Sequence, residues 1–297
     1  MKVLILGSSG FVGFPIAKAF VRNGHEVYGQ IRAQSKAKLL ASEEIIPVIA
    51  DVSNGAALVD AAAAVDVVIN CLGGGDLVAL TDVTYKVVIE AAKKARGSGI
   101  PKLTYILISG TWVYGEDRIN MINERSPLTH PASLVSWRPA TEQTVVNSKE
   151  VDGIVIRPSL LYGGSASLIE PVFKQAATGG KIEWPGRLGG RWALIHNDDL
   201  SDLVLRVAEA APICKGLIFD ASNSQTELVE DILAKVVEVS GASGFTLREP
   251  ANPYEEAQAG TAIMRPSLAR AILGWTPKKA GFVDGMRTYY AAWQATQ

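Results

Sequence analysis

The run Gly7-Ser8-Ser9-Gly10-Phe11-Val12-Gly13 constrains this chain more than any other stretch, because of what flanks it. The apolar segment KVLILG (2–7) leads into it, and Phe14 to Asn23 leads away with helical spacing and a stop at Gly24. The chain enters on a strand, turns on glycines and leaves on a helix. In that setting Gly7 permits the tight turn, Gly10 lets the backbone approach a pyrophosphate, and Gly13 lets helix and sheet pack closely. The backbone of Ser9, Phe11 and Val12 completes the rim, where the helix start offers N–H groups and a positive dipole end to phosphate. Without a ligand the same residues make only a strand–helix turn.

Further apolar runs rich in Val and Ile follow at HEVYGQIR (25–32), IIPVIAD (45–51), VDVVINCLG (65–73), LTYILISG (103–110), DGIVIRP (152–158) and GLIFDAS (216–222). Several are apolar at successive positions, as strands covered on both faces require. Helical patterns fall between them, over Asn54 to Ala64, Leu77 to Arg96, from near Ser136, and over Asp198 to Ala210. This alternation predicts an α/β fold, a Rossmann-type doubly wound parallel sheet that takes ligands at the carboxyl ends of its strands. After Pro158 the composition changes, and residues 163–191 are rich in Gly, Ser and Pro. The expected division is a cofactor domain over 1–160, completed by the strand near 216–222, and a small C-terminal substrate-binding cap over 161–297.

The end of the second strand bears on the choice of dinucleotide. An NAD site normally places an acid there to bond the ribose hydroxyls. Here the chain reads Gly29-Gln30-Ile31-Arg32, followed by Ser35 and Lys36. A guanidinium pairs bidentately with phosphate and a serine hydroxyl adds a donor, so Arg32 and Ser35 point to the 2′-phosphate of NADP(H). A solvated surface cation is the alternative for Arg32. On this fold Asp51 and Val52 would lie beside the adenine, and Asn70 to Gly74, including Leu72 and Gly73, would run under the cofactor.

With these pieces located, the chain resembles the extended short-chain dehydrogenase/reductases, the group known as NAD-dependent epimerase/dehydratases. The matching stretches are GSSGFVG (7–13), ADV (50–52), ISGTWVYG (108–115), RPSLLYG (157–163), IHNDDL (195–200) and LGWTP (273–277). The resemblance implies a Rossmann domain with a substrate domain, and it places Pro158 near the nicotinamide. It also implies a catalytic Tyr-x-x-x-Lys pair, which this chain lacks. Aligned on Glu142, those positions hold Leu134 and Arg138; shifted by three they hold Trp137 and Thr141. Arg138 keeps the charge to bond a ribose hydroxyl, but it shuttles no proton at neutral pH.

Candidate replacements are Tyr114 of the VYG motif, as proton donor or ligand-orienting group, and Thr111 as hydrogen-bond donor. Trp112, Trp137, Trp184 and Trp192 fall in segments expected around the cleft, where aromatic rings favour a flat or apolar substrate. Arg187 and Arg191 would hold an acidic group or stand as solvated loop cations. His196 and the Asp198-Asp199 pair read as structural, the carboxylates complementing a helix start.

A net charge of −1 without any Lys/Arg-rich block argues against nucleic acid or a membrane surface as partner. Cys71 and Cys214 are far apart, without metal-ligand spacing, and read as buried thiols of a reducing compartment. No metal motif, membrane span or signal segment stands out, so the expected setting is cytoplasmic. A homodimer is expected through the helices Leu77 to Arg96 and that starting near Ser136. Three functions follow: an NADP(H)-dependent oxidoreductase for a small aromatic or apolar carbonyl or alcohol, a redox-inactive NADP-binding sensor, and a non-redox lyase or isomerase in the same cleft.

Overall fold

A computed structural model describes residues 1–95, 100–165 and 167–297. All seven apolar runs form strands of a single sheet. These are β1 (Lys2–Leu6), β2 (Glu26–Ile31), β3 (Ile46–Ile49), β4 (Val67–Asn70), β5 (Thr104–Ile108), and the strands Asp152–Pro158 and Ile218–Ala221. Their order is Ile218–Ala221, Asp152–Pro158, β5, β4, β1, β2, β3, and the pairings from Asp152–Pro158 through β3 are parallel. The chain builds outward from β1 to β3, then returns to place β4 on the other side of β1. This reversal makes the crevice at the end of β1 the topological switch point, where such sheets bind ligands. The fold is the Rossmann-type sheet with an additional C-terminal region.

Burial follows position in the sheet. Every residue of β4 is buried, whereas edge strand β3 leaves Ile46 and Ile49 exposed. Helix α1 (Gly13–Arg22) buries Gly13, Ile16, Ala17 and Phe20, one face at helical spacing, and ends before Gly24, whose φ is +77°. The helix Leu77–Ala95 starts where the pattern predicts; Arg96, its expected last residue, lies outside the described residues. Val87, Val88 and Ala91 of this helix pack with Leu58, Val59 and Ala62 of the helix Ala56–Ala63.

The chain forms two compact units. One comprises Met1–Ser109, Ala140–Ile156 and Ser201–Ile218; the other comprises Gly110–Pro139, Arg157–Leu200 and Phe219–Gln297. In the second, Arg191–His196 is flanked by Leu160–Tyr162 and Thr226–Leu228; Lys181–Pro185 pairs with Gly244–Arg248, and Asp117–Ile122 with Ala262–Met264. Several of these strands went unrecognised in the sequence. Asp117–Ile122 buries only its last residue, so it carries no alternating pattern, and its partner lies far along the chain. The glycine-rich 163–191 segment likewise contains the helix Glu170–Ala177. The core of this unit is aromatic, with Tyr162, Phe173, Trp184, Trp192, Phe282, Tyr289, Tyr290 and Trp293 in one cluster.

Candidate functional site

In the first unit the glycine loop is built as a cradle. Gly7 has φ +75°, and the N–H of Gly10 donates to its carbonyl at 3.0 Å. A Cβ on Gly13 would stand 2.3 Å from the Gly7 oxygen, so the helix lies closer to the loop than any side chain permits. Helix α1 starts with no side-chain cap and no acidic residue in its first turn, which leaves its dipole end to an anion. The arrangement fits the phosphates of a dinucleotide.

Gln30 holds this cradle, a role absent from the sequence reading, which registered only that no acid stands there. Its side chain is buried, accepts the Gly7 N–H at 3.0 Å and donates to the Ala50 carbonyl at 2.6 Å. The Gln30 carbonyl accepts both the N–H and the hydroxyl of Ser8. A polar residue in a buried run of β2 was the available signal. Arg32 and Ser35 are exposed. The exposed Asp51 carboxyl is held below its usual range chiefly by hydrogen bonds from the Ser53 N–H and hydroxyl, with a smaller effect from the Arg32 charge. Val52 turns its side chain into the core. The Leu72 N–H donates to Asn70, and Gly73 has open space where a side chain would project.

In the second unit Thr111–Tyr114 forms a short helical turn. The Tyr114 phenol donates to Asp220 Oδ2 at 2.7 Å and accepts from Arg157 Nη1 at 2.8 Å, with the Arg157 guanidinium 5.1 Å from the ring centre. All three residues are buried. Burial, then the Asp220 charge, raises the phenol pKa against the opposing effect of Arg157. A phenol whose hydrogen is committed to a carboxylate and whose ionisation is disfavoured is poorly suited to donate a proton.

Thr111 lines a cavity of about 170 Å³ with Trp112, Leu160, Trp192, Glu116 and Glu256 among its neighbours. No lysine or arginine lines it among the described residues. Of the other expected substrate contacts, Trp184 is only 2% exposed and packs edge-on against Trp192, so the aromatic cleft reading is corrected for it: that ring belongs to the core. Arg191 is tied into its own surroundings, its guanidinium donating to the Thr226 carbonyl and its N–H to Thr261. Trp137 is half-buried with Arg138 stacked 4.9 Å from its ring centre. Leu134 is 47% exposed on the turn Ser133–Val135, so neither it nor Arg138 supplies an acid. Pro158 is buried at the end of its strand.

The other motifs hold the second unit together. His196 accepts the Asp198 N–H at its Nδ1 and packs against Tyr162 and Tyr289. Asp199 accepts the N–H groups of Lys278 and Lys279 at 2.9 and 3.0 Å. Among the described residues no group of His, Cys, Asp and Glu is placed to hold a metal, and no helix is long and apolar enough to cross a membrane.

The model of the NAD dependent epimerase/dehydratase family matches residues 3–215. The chain belongs to this family. Members of this family bind NAD(P). An uncharacterized protein of Saccharomyces cerevisiae is 22% identical over 310 aligned positions, 98% of this chain and 99% of that one. A 3-beta-hydroxysteroid dehydrogenase of Mycolicibacterium neoaurum is 26% identical over 195 positions, 60% of this chain and 52% of the relative. Among solved structures, dTDP-glucose 4,6-dehydratase of Bacillus anthracis, in complex with NAD, superposes with a TM-score of 0.82 at 15% identity, covering 99% of this chain and 97% of that one. That likeness is one of fold.

Proposed function

We propose that this epimerase/dehydratase-family member is an NADP(H)-dependent oxidoreductase for a small, uncharged carbonyl or alcohol compound of apolar or aromatic character. The observation that carries the reading is the Thr111 cavity, walled by Trp112 and Leu160 and, among the described residues, without a lysine or arginine in its lining. A sugar nucleotide would bring a diphosphate that needs cationic partners. The backbone of Gly7, Ser9, Gly10, Phe11, Val12 and Gly13 would hold the pyrophosphate, with Arg32 and Ser35 on the 2′-phosphate and Arg138 on a ribose hydroxyl. Asp51, Val52, Leu72, Gly73 and Pro158 would complete the cofactor site. When bound, the cofactor supplies or accepts hydride, a transfer that depends on geometry more than on a protein base.

In this proposal the Thr111 hydroxyl bonds the reacting oxygen and passes it a proton drawn from water, since a threonine is too weak an acid to be the source. Tyr114 acts as a positioning residue, tying its turn to Arg157 and Asp220. The cofactor function belongs to 1–160 with the strand near 216–222, and most of the substrate cap to 161–297, with residues 110–139 lending Thr111 and Trp112 to the cavity.

The deciding experiment follows loss of reduced-nicotinamide absorbance across ketones, aldehydes and enones. Thr111→Val should lower turnover about a hundredfold, as loss of an oxyanion donor does, with cofactor affinity unchanged. Tyr114→Phe should instead cost about 1–3 kcal/mol of stability, because Arg157 and Asp220 lose a buried partner. Equal turnover in Thr111→Val and the parent would remove Thr111 from the mechanism. NADP(H) binding without turnover of any compound would favour the sensor reading, which the committed Tyr114 phenol and the Leu134/Arg138 pair support.

Arg32→Ala should cut the preference for NADP(H) over NAD(H) by about tenfold or more, the effect of losing charged hydrogen bonds. Equal affinities for both dinucleotides in the parent protein, measured by calorimetry, would refute that assignment. A homodimer through Leu77–Ala95 and Arg138–Val146 belongs to the same proposal; a monomer mass in sedimentation at micromolar concentration would remove it.

A further inference from the structure

A second cavity, of about 190 Å³, shares no lining residue with the one that holds Thr111. It lies among Asp220, Ser222, Asn223, Arg265, Arg270 and Trp275. Its volume is more than ten times the ~10–15 Å³ that a single water needs. Among its residues Ser222, Trp275 and Asn223 are almost wholly buried, at 2%, 4% and 7% exposure. Each carries a buried polar atom with no hydrogen-bond partner among the described residues: Ser222 Oγ, Trp275 Nε1 and Asn223 Oδ1.

Such atoms are costly, and three of them belong to residues that line one cavity, a place where something else can complete the bonds. The amide orientation of Asn223 is set independently. Tyr162 donates its hydrogen to the Ala280 carbonyl at 2.8 Å, so its oxygen is left to accept from Asn223 Nδ2 at 3.0 Å. Oδ1 is thereby the atom that awaits a donor.

The charge points the same way. Asp220 accepts from Tyr114, and the Arg157 guanidinium lies 3.9 Å from its other oxygen. Arg265 and Arg270 remain as a cationic pair on the cavity, both exposed and neither in an ion pair among the described residues. Arg265 donates one hydrogen bond to the Ser224 carbonyl at 3.0 Å, leaving further guanidinium donors.

We propose that this cavity binds a small hydroxylated anion. Its carboxylate or phosphate sits against Arg265, Arg270 and the Trp275 N–H, and its hydroxyl donates to Asn223 Oδ1, at the end where the Asp220 carboxylate excludes negative charge. Ser222 supplies a hydroxyl that either donates or accepts. The site is separate from the proposed reaction and stands whether or not that reaction is found.

The test is calorimetry on the full chain with glycerol 3-phosphate and glycolate as probes. Inorganic phosphate and acetate are their hydroxyl-free counterparts. One of the two hydroxylated probes should bind saturably, which also tells phosphate from carboxylate. It should bind about tenfold tighter than its counterpart, from the hydrogen bond to Asn223. Arg270→Gln, an exposed position that leaves the core intact, should weaken binding by about tenfold or more. Trp275→Phe, with folding verified by its thermal transition, should also weaken it. Equal affinity for the hydroxyl-free ions, binding unchanged in Arg270→Gln, or no saturable heat at millimolar probe would overturn the proposal and leave the cavity to water.

Discussion

Gly13→Val is expected to abolish dinucleotide binding and to lower stability by about 1–3 kcal/mol, the usual cost of forcing a side chain into packed backbone. The nearest atoms to its Cβ would be backbone, the Gly7 oxygen at 2.3 Å and the Gly7 carbonyl carbon at 2.9 Å. No rotamer relieves such a clash, so the loop must move away from the helix start, and the cradle opens. Gly24→Ala is the control. Gly24, unlike Gly13, has a left-handed backbone, φ +77°, and nothing among the described residues stands within 4 Å of its would-be Cβ. That variant should lose about 1 kcal/mol from backbone strain and keep full cofactor affinity. Calorimetric titration with NADP(H) and urea unfolding of both variants check the pair. Gly13→Val retaining parent affinity would show that this loop does not receive the phosphates.

Asp220→Ala is expected to cost about 3–5 kcal/mol, the range found when one partner is removed from a buried charged pair. Asp220 has no exposed surface, and Arg157 is 3% exposed. Removing the carboxylate leaves the guanidinium as a buried cation and takes the acceptor from the Tyr114 hydroxyl. Arg157→Met added to Asp220→Ala should recover much of the loss, because the buried charge goes with it. Denaturant midpoints of the single and double variants provide the comparison. A loss below about 1 kcal/mol in Asp220→Ala would mean that water reaches the cluster and screens it.

The architecture was readable because each element announces itself locally. Val3 to Leu6 and Val67 to Asn70 are buried on both faces, so uninterrupted apolar runs were enough to mark them. Glycines at 7, 10 and 13 marked the turn into α1, since only that residue satisfies the backbone conformation at one position and the close packing at another. The family followed from motifs whose order along the chain is itself sequence information.

Strands such as Asp117–Ile122 were not legible, because their pairing with Ala262–Met264 is supplied by residues remote in the chain and their faces are mostly exposed. The tryptophans gave a partly misleading signal. An aromatic ring reads the same whether it lines a cavity, as Trp112 does, or fills a core, as Trp184 does.

The polar residues show the same limit more sharply. Gln30 looked like the absence of an acid and is the clamp on the glycine loop. Tyr114 looked like an available phenol, and its hydrogen is spent on Asp220, 106 residues further on. Propensity, periodicity and glycine geometry act between near neighbours in the chain, so they were present in the sequence from the start. Hydrogen bonding and burial depend on which distant groups fold against a side chain, and for Tyr114 those groups were Arg157 and Asp220.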